Sequence, residues 1–117
     1  MTFQEKKAWL SRAITAEERA RCLERQLEDL QKLYPFYEDK SAVKLFSEEL
    51  TREMQALLMV KKEIRGAIAT LDNERYKTIL EYKYLCFLTF EEIAEILELS
   101  YVWTFELHKR AVEALAI

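Results

Sequence analysis

A chain of 117 residues, half of them hydrophobic and a third charged, suits one modest domain or a small domain with an appended helical segment. One Gly and one Pro leave too few turn residues for an all-β sandwich or a many-turned α/β fold, so long helices with few connections are expected. The net charge of −3 argues against a general nucleic-acid coat, and no apolar run approaches the roughly 18 to 20 residues of a membrane span.

Thr2 with Glu5 three residues later forms a capping box, and no helix breaker follows until Pro35. One long first helix is therefore expected. Trp9, Ala13, Ala16, Ala20, Leu23, Leu27, Leu30 and Tyr34 alternate spacings of four and three, which is a coiled-coil seam. A second capping box, Thr15 with Glu18, allows a break near Ile14, but the unbroken seam favours continuity. Residues 34–40, YPFYEDK, make the connection, with three aromatics around Pro35 able to cap a hairpin end, and Ser41 suits an N-cap. Val43, Phe46, Leu50, Met54, Leu57, Ile64, Ile68 and Leu71 continue the stripe along a second long helix. Gly66 inside it suggests a close helix crossing or a local bend. So short a connection favours an antiparallel pair, and a second copy packed alongside would give a four-helix dimer.

Asp72 and Asn73 end that helix and cap a third, from Glu74 to Cys86, whose apolar stripe is Tyr76, Ile79, Leu80, Tyr84 and Phe87. The expected division is thus a hairpin over 1–71 and a trihelical unit over 72–117. In the second part Thr89 and Glu92 form a capping box, with Leu88 and Ile93 at the hydrophobic-staple positions. Leu88, Ile93, Ala94 and Leu97 supply the inner face of one short helix; Thr104, Leu107, Ala111 and Leu115 supply that of the next. Two short helices joined by a tight turn, the second ending in His108, Lys109 and Arg110, are a helix-turn-helix signature. From Glu74 onward five basic residues stand against eight glutamates, so this half carries all of the chain's excess acid.

Cys22 and Cys86 are far apart, with no CxxC or Cys/His cluster, and read as reduced core thiols of a cytosolic protein. The start, MTFQEKKAW, lacks the apolar core of a signal peptide. With a single His, no Gly-rich loop, no nucleophile motif and no metal-ligand spacing, neither an enzyme nor a cofactor or metal site is expected. Glu91, Glu92, Glu95 and Glu98 read as a solvated face, and Trp103 as a partly buried packing residue.

The stretch from Glu74 to Leu115 resembles region 4 of bacterial sigma factors. Lys83 and Tyr84 precede a short link, then Leu88, Thr89, Glu91, Glu92, Ile93, Ala94, Leu97, Ser100, Lys109, Arg110 and Ala111 follow in matching order. With a hairpin ahead of it, a Tyr84–Phe87 link of Tyr-Leu-Cys-Phe, and Ser100, Tyr101, Trp103, Leu107 and His108, the chain resembles phage-encoded regulators of the RinA and ArpU type. The resemblance implies sequence-specific DNA binding and control of phage or prophage late genes in the cytoplasm of a bacterial host. It places the helix from Ser100 in the major groove, with the hairpin dimerising or contacting RNA polymerase. Ser100 as N-cap leaves a helix end near a phosphate, and Tyr101, Val102, Phe105, Glu106 and Lys109 lie opposite the inner stripe. His108, Lys109 and Arg110 are the expected phosphate contacts. Tyr, Val and Phe can meet thymine methyls, and Glu can accept from cytosine N4. Glu98 stands in the turn where sigma-like sequences place Gly, so either a strained left-handed residue or a reshaped turn is expected there. The alternative is a protein that keeps this fold, has lost DNA reading, and docks a protein partner on Tyr101, Val102 and Phe105.

Overall fold

A computed structural model describes residues 1–33 and 40–117, and among these the protein is helical throughout, without strands. The helices are α1 (Phe3–Leu10), α2 (Arg12–Leu33), α3 (Ser41–Ala69), α4 (Glu74–Tyr84), α5 (Phe90–Leu97) and α6 (Tyr101–Ala114). Tyr34, Pro35 and the aromatics Phe36 and Tyr37 of the expected connection lie outside the described residues. No helix among the described residues is long and apolar enough to cross a membrane.

The first helix is bent rather than continuous, and the bend is at Ser11, not Ile14. Thr2 and Glu5 form the expected box, each side chain 3.2 Å from the other residue's backbone nitrogen. At the far end, Ser11 Oγ donates to the Lys7 carbonyl at 2.7 Å and Arg12 Nε to the Trp9 carbonyl at 3.0 Å. Serine back-bonding of this kind loosens the helical ladder and bends it. The next bond, from Ile14 N to Ser11 O, is an i→i−3 bond of 3.1 Å.

Residues 1–14 and 60–117 form one compact unit, and residues 15–59 another. In the second, the seam positions are the covered ones: Ala20 and Leu57 are buried, and Ala16, Leu23, Leu27, Leu30, Val43, Phe46 and Leu50 are half-buried. Met54 departs from the expected stripe, being 44% exposed, because Glu53 falls nearer the stripe's centre at 100° per residue. Cys22 sits on the opposite side of α2 from Ala20 and is exposed, and Cys86 is exposed in the link after α4. Both are free thiols, yet neither is a core residue as the sequence suggested.

The first unit has two apolar clusters. The larger joins Leu10 and Ala13 to Ile64, Ile68 and Leu71, and these to Leu80, Tyr84, Ala111, Val112 and Leu115. Leu71, where the sequence suggests a boundary, is therefore inside this unit's core. Among the described residues Gly66 faces no neighbour: a Cβ there would meet nothing within 4 Å, so no close crossing among them explains it. Asn73 caps α4, its Oδ1 accepting from Arg75 N at 2.9 Å and Tyr76 N at 3.2 Å. The helix stops at Tyr84, two residues before the expected end, because Phe87 takes a left-handed φ of 60°. The chain then turns into α5 through a Leu88 N to Tyr82 O bond of 3.0 Å.

Candidate nucleic-acid interface

The smaller cluster is what sets α6 in place. Ile79 of α4, Ile93 of α5 and Leu107 of α6 meet at its centre, with Leu88, Leu97 and Leu99 around them. Thr89 caps α5 through the expected box, Glu92 N and Thr89 Oγ1 lying 3.2 Å apart, and Thr89 N and Glu92 Oε1 the same distance. At the other end Glu98 adopts φ 55° and ψ 44°, and Leu99 N bonds back to Ala94 O at 2.9 Å. This left-handed closure lets Ser100 begin α6 at once: its Oγ accepts from Trp103 N at 3.1 Å. The turn between the two helices is three residues long, and of the two outcomes open to a Glu in a Gly position it takes the left-handed one rather than a reshaped turn.

Two features hold α6 that sequence reasoning did not find. Lys6 of α1 reaches the last turn of α6, donating from Nζ to the carbonyls of Glu113 at 3.1 Å and Leu115 at 2.6 Å. A cation there satisfies orphan carbonyls and complements the helix dipole. Nothing local in the sequence links positions so far apart. The second is Phe90, first residue of α5. Its ring packs edge-on against Tyr101, Phe105 and His108, with centroid distances of 6.4, 5.3 and 4.9 Å. Lys83 Nζ lies 4.6 Å from the same ring's centre. Phe90 is four residues before Ala94 and seven before Leu97, a spacing that marked it as part of the inner stripe.

The predicted site residues separate into three groups. Tyr101, Val102 and Phe105 are exposed, Val102 most of all at 77%, and with Phe90 they form an apolar surface along one flank of α6. Ser100 and Lys109 are exposed, while Glu106 and Arg110 are paired, Arg110 Nε lying 3.3 Å from Glu106 Oε1. The Arg110 guanidinium also lies over the Trp103 ring, 5.1 Å from its centre. Trp103 is thus less covered than expected, 41% exposed and sheltered on one face by Arg110. Glu91, Glu92, Glu95 and Glu98 are all exposed, as a solvated face requires.

His108 is the correction. The sequence places it on the surface as a phosphate contact; the structure buries it to 1% exposure, where no phosphate reaches. The inner face of α6 is wider than the stripe of Thr104, Leu107, Ala111 and Leu115, because it also packs on α1 and takes in His108 and Val112. Tyr84 Oη lies 2.6 Å from His108 Nε2, a hydrogen bond in either tautomer, whereas Nδ1 has no partner among the described residues. Burial, and then the positive charges of Lys7 and Lys83, push the imidazole down to about 4, and burial raises the Tyr84 phenol. The ring is therefore neutral at neutral pH.

A family model described as protein of unknown function (DUF1492) matches residues 38–116, about two thirds of the chain. No curated protein and no solved structure matches.

Proposed function

We propose that this chain, which belongs to the DUF1492 family, is a transcriptional regulator of phage or prophage genes that binds duplex DNA through α5, the turn and α6. The observation that carries the reading is the pairing of two short helices through a three-residue turn, with α6 held by its inner face and presenting Ser100, Tyr101, Val102, Phe105, Glu106, Lys109 and Arg110 outward. On this reading the pair serves as a sigma-region-4-like helix-turn-helix of the RinA and ArpU type. Lys109 is the phosphate contact, and Lys83 adds a cation beside the aromatic flank at Phe90. His108 is not a contact but a core group under the helix.

Ahead of this unit, α2 and α3 form an antiparallel hairpin that dimerises or contacts RNA polymerase. The Arg12 to Glu63 ion pair of 2.8 Å, between the start of α2 and the last part of α3, supports that orientation. Binding of the full chain to its own upstream region, followed by fluorescence anisotropy at roughly 50 mM salt, tests the function. A complex that weakens steeply with salt, and that Lys109→Ala with Arg110→Ala abolishes, is the expected result. No complex with folded protein would end this reading.

A second reading has its own support, the exposed apolar flank of Tyr101, Val102 and Phe105 beside half-buried Phe90, which is unusual for a face meant for phosphates. On it the fold serves to dock a protein partner. Tyr101→Ser with Phe105→Ser separates the two: a folded wild type that forms no DNA complex, together with loss of a co-purifying partner on both changes, favours docking.

A further inference from the structure

The outward face of α6 carries an arrangement that neither packing nor capping accounts for. Trp103, Glu106 and Arg110 stand at spacings of three and four, so their side chains line one strip of the helix. Trp103 belongs to neither apolar cluster and remains 41% exposed, so burial does not explain an indole there. What it does is support the Arg110 guanidinium, 5.1 Å above its ring, while Glu106 Oε1 takes the Nε–H at 3.3 Å. With its Cζ over the indole and its Nε occupied, Arg110 keeps both Nη groups without a hydrogen bond among the described residues. A guanidinium held this way has given up part of its rotamer freedom before any ligand arrives.

The charge balance says which ligand suits it. Glu106 neutralises the pair and would repel a phosphate brought near Arg110. A neutral edge that offers two acceptors loses nothing by that neutralisation. Guanine O6 and N7 in the major groove are such an edge, spaced for two parallel N–H donors, and its partner cytosine offers the N4 amino group, for which a carboxylate oxygen is the acceptor. We infer that Arg110 and Glu106, steadied by Trp103, form a unit that reads a G·C pair: Arg110 donates from its two Nη groups to guanine, and the second Glu106 oxygen accepts from cytosine. Resting on the DNA-binding reading above, the inference gives it a sequence preference that the apolar residues Tyr101, Val102 and Phe105 alone would not. Trp103 and Glu106 Oε1 are positioning groups; the Arg110 Nη pair makes the contact.

Selection of sites for the full chain from a random duplex pool, followed by titration of one selected duplex, tests it. The selected sites share a G·C pair whose exchange for A·T weakens wild-type binding roughly 10- to 100-fold. Replacement of that guanine by 7-deazaguanine, which removes only the N7 acceptor, weakens it in the same direction. Arg110→Lys keeps the charge and loses the fork, so its discrimination falls to within about 2-fold. Trp103→Leu loses most of the discrimination at an unchanged unfolding temperature, and Trp103→Tyr restores it. Lys109→Ala lowers affinity for every duplex alike and reduces the salt slope by about 1. Selected sites indifferent to guanine, or full discrimination by Arg110→Lys, would overturn the inference and leave DNA binding standing. Failure of the wild type to retain any duplex overturns the DNA reading itself.

Discussion

His108 shows how much one side chain can change in meaning between sequence and structure. In the sequence it heads the run His108, Lys109, Arg110 and takes its role from its neighbours' charge. In the structure it sits four residues from Thr104 and four from Val112, both buried, and shares their side of the helix. Its pKa, held near 4 by burial against an ordinary value of 6.5, has a stability consequence. The folded form binds its proton less readily than the unfolded chain, so stability is complete above about pH 6.5, falls as the pH drops toward 4, and levels off below. The whole loss is about 3 kcal/mol, readable from urea unfolding between pH 7 and 4, and replacing His108 by Gln flattens that part of the profile. Glu98 is the residue the sequence did expose, because a Glu in a tight interhelical turn has few conformations open to it. Its φ of 55° costs a β-carbon-bearing residue about 1 kcal/mol, so Glu98→Gly raises the thermal midpoint. A lower midpoint would mean that the Glu98 side chain contributes more than its backbone loses.

At the level of the helices, the features that local spacing specifies were the ones legible beforehand. The boxes at Thr2 and Thr89, the Asn73 cap, and the inner stripes of α5 and α6 all depend on residues within four positions of each other. The bend at Ser11 was not legible, since it depends on a serine choosing a carbonyl of its own helix over solvent, a choice available to any helical serine. The exposure of the two cysteines was legible, since neither stands on the apolar stripe of its segment, but the usual burial of free thiols outweighed that spacing. The outward face of α6 was half legible: its residues were named from periodicity, but the pairing of Glu106 with Arg110 over Trp103 depends on rotamers. α3 offers a direct measurement of helix propensity. Gly66 is exposed, in a helix, with nothing within 4 Å of where a Cβ would stand, so Gly66→Ala stabilises by about 1 kcal/mol in denaturant unfolding. A destabilised variant would mean that the glycine meets a neighbour the monomer does not contain.

Over the whole molecule, long-range contacts redraw what the sequence divides. The apolar pattern splits the chain after Leu71, but Leu10 and Ala13, fully buried, share a core with Ile64, Ile68, Tyr84 and Val112. The matched family segment starts at residue 38 and so omits a helix on which its own last helix rests. Leu10→Ala should cost about 2 to 5 kcal/mol, as deleting a buried leucine does, and be felt in α6 as much as in α1. A loss under 1 kcal/mol would place Leu10 outside the cooperative core. The two Lys6 bonds to the end of α6 extend that link to the chain's first turns. Amide hydrogens of α1 should then exchange with deuterium on the same timescale as those of α6, opening as one event, although a short helix of two turns ordinarily opens and exchanges first.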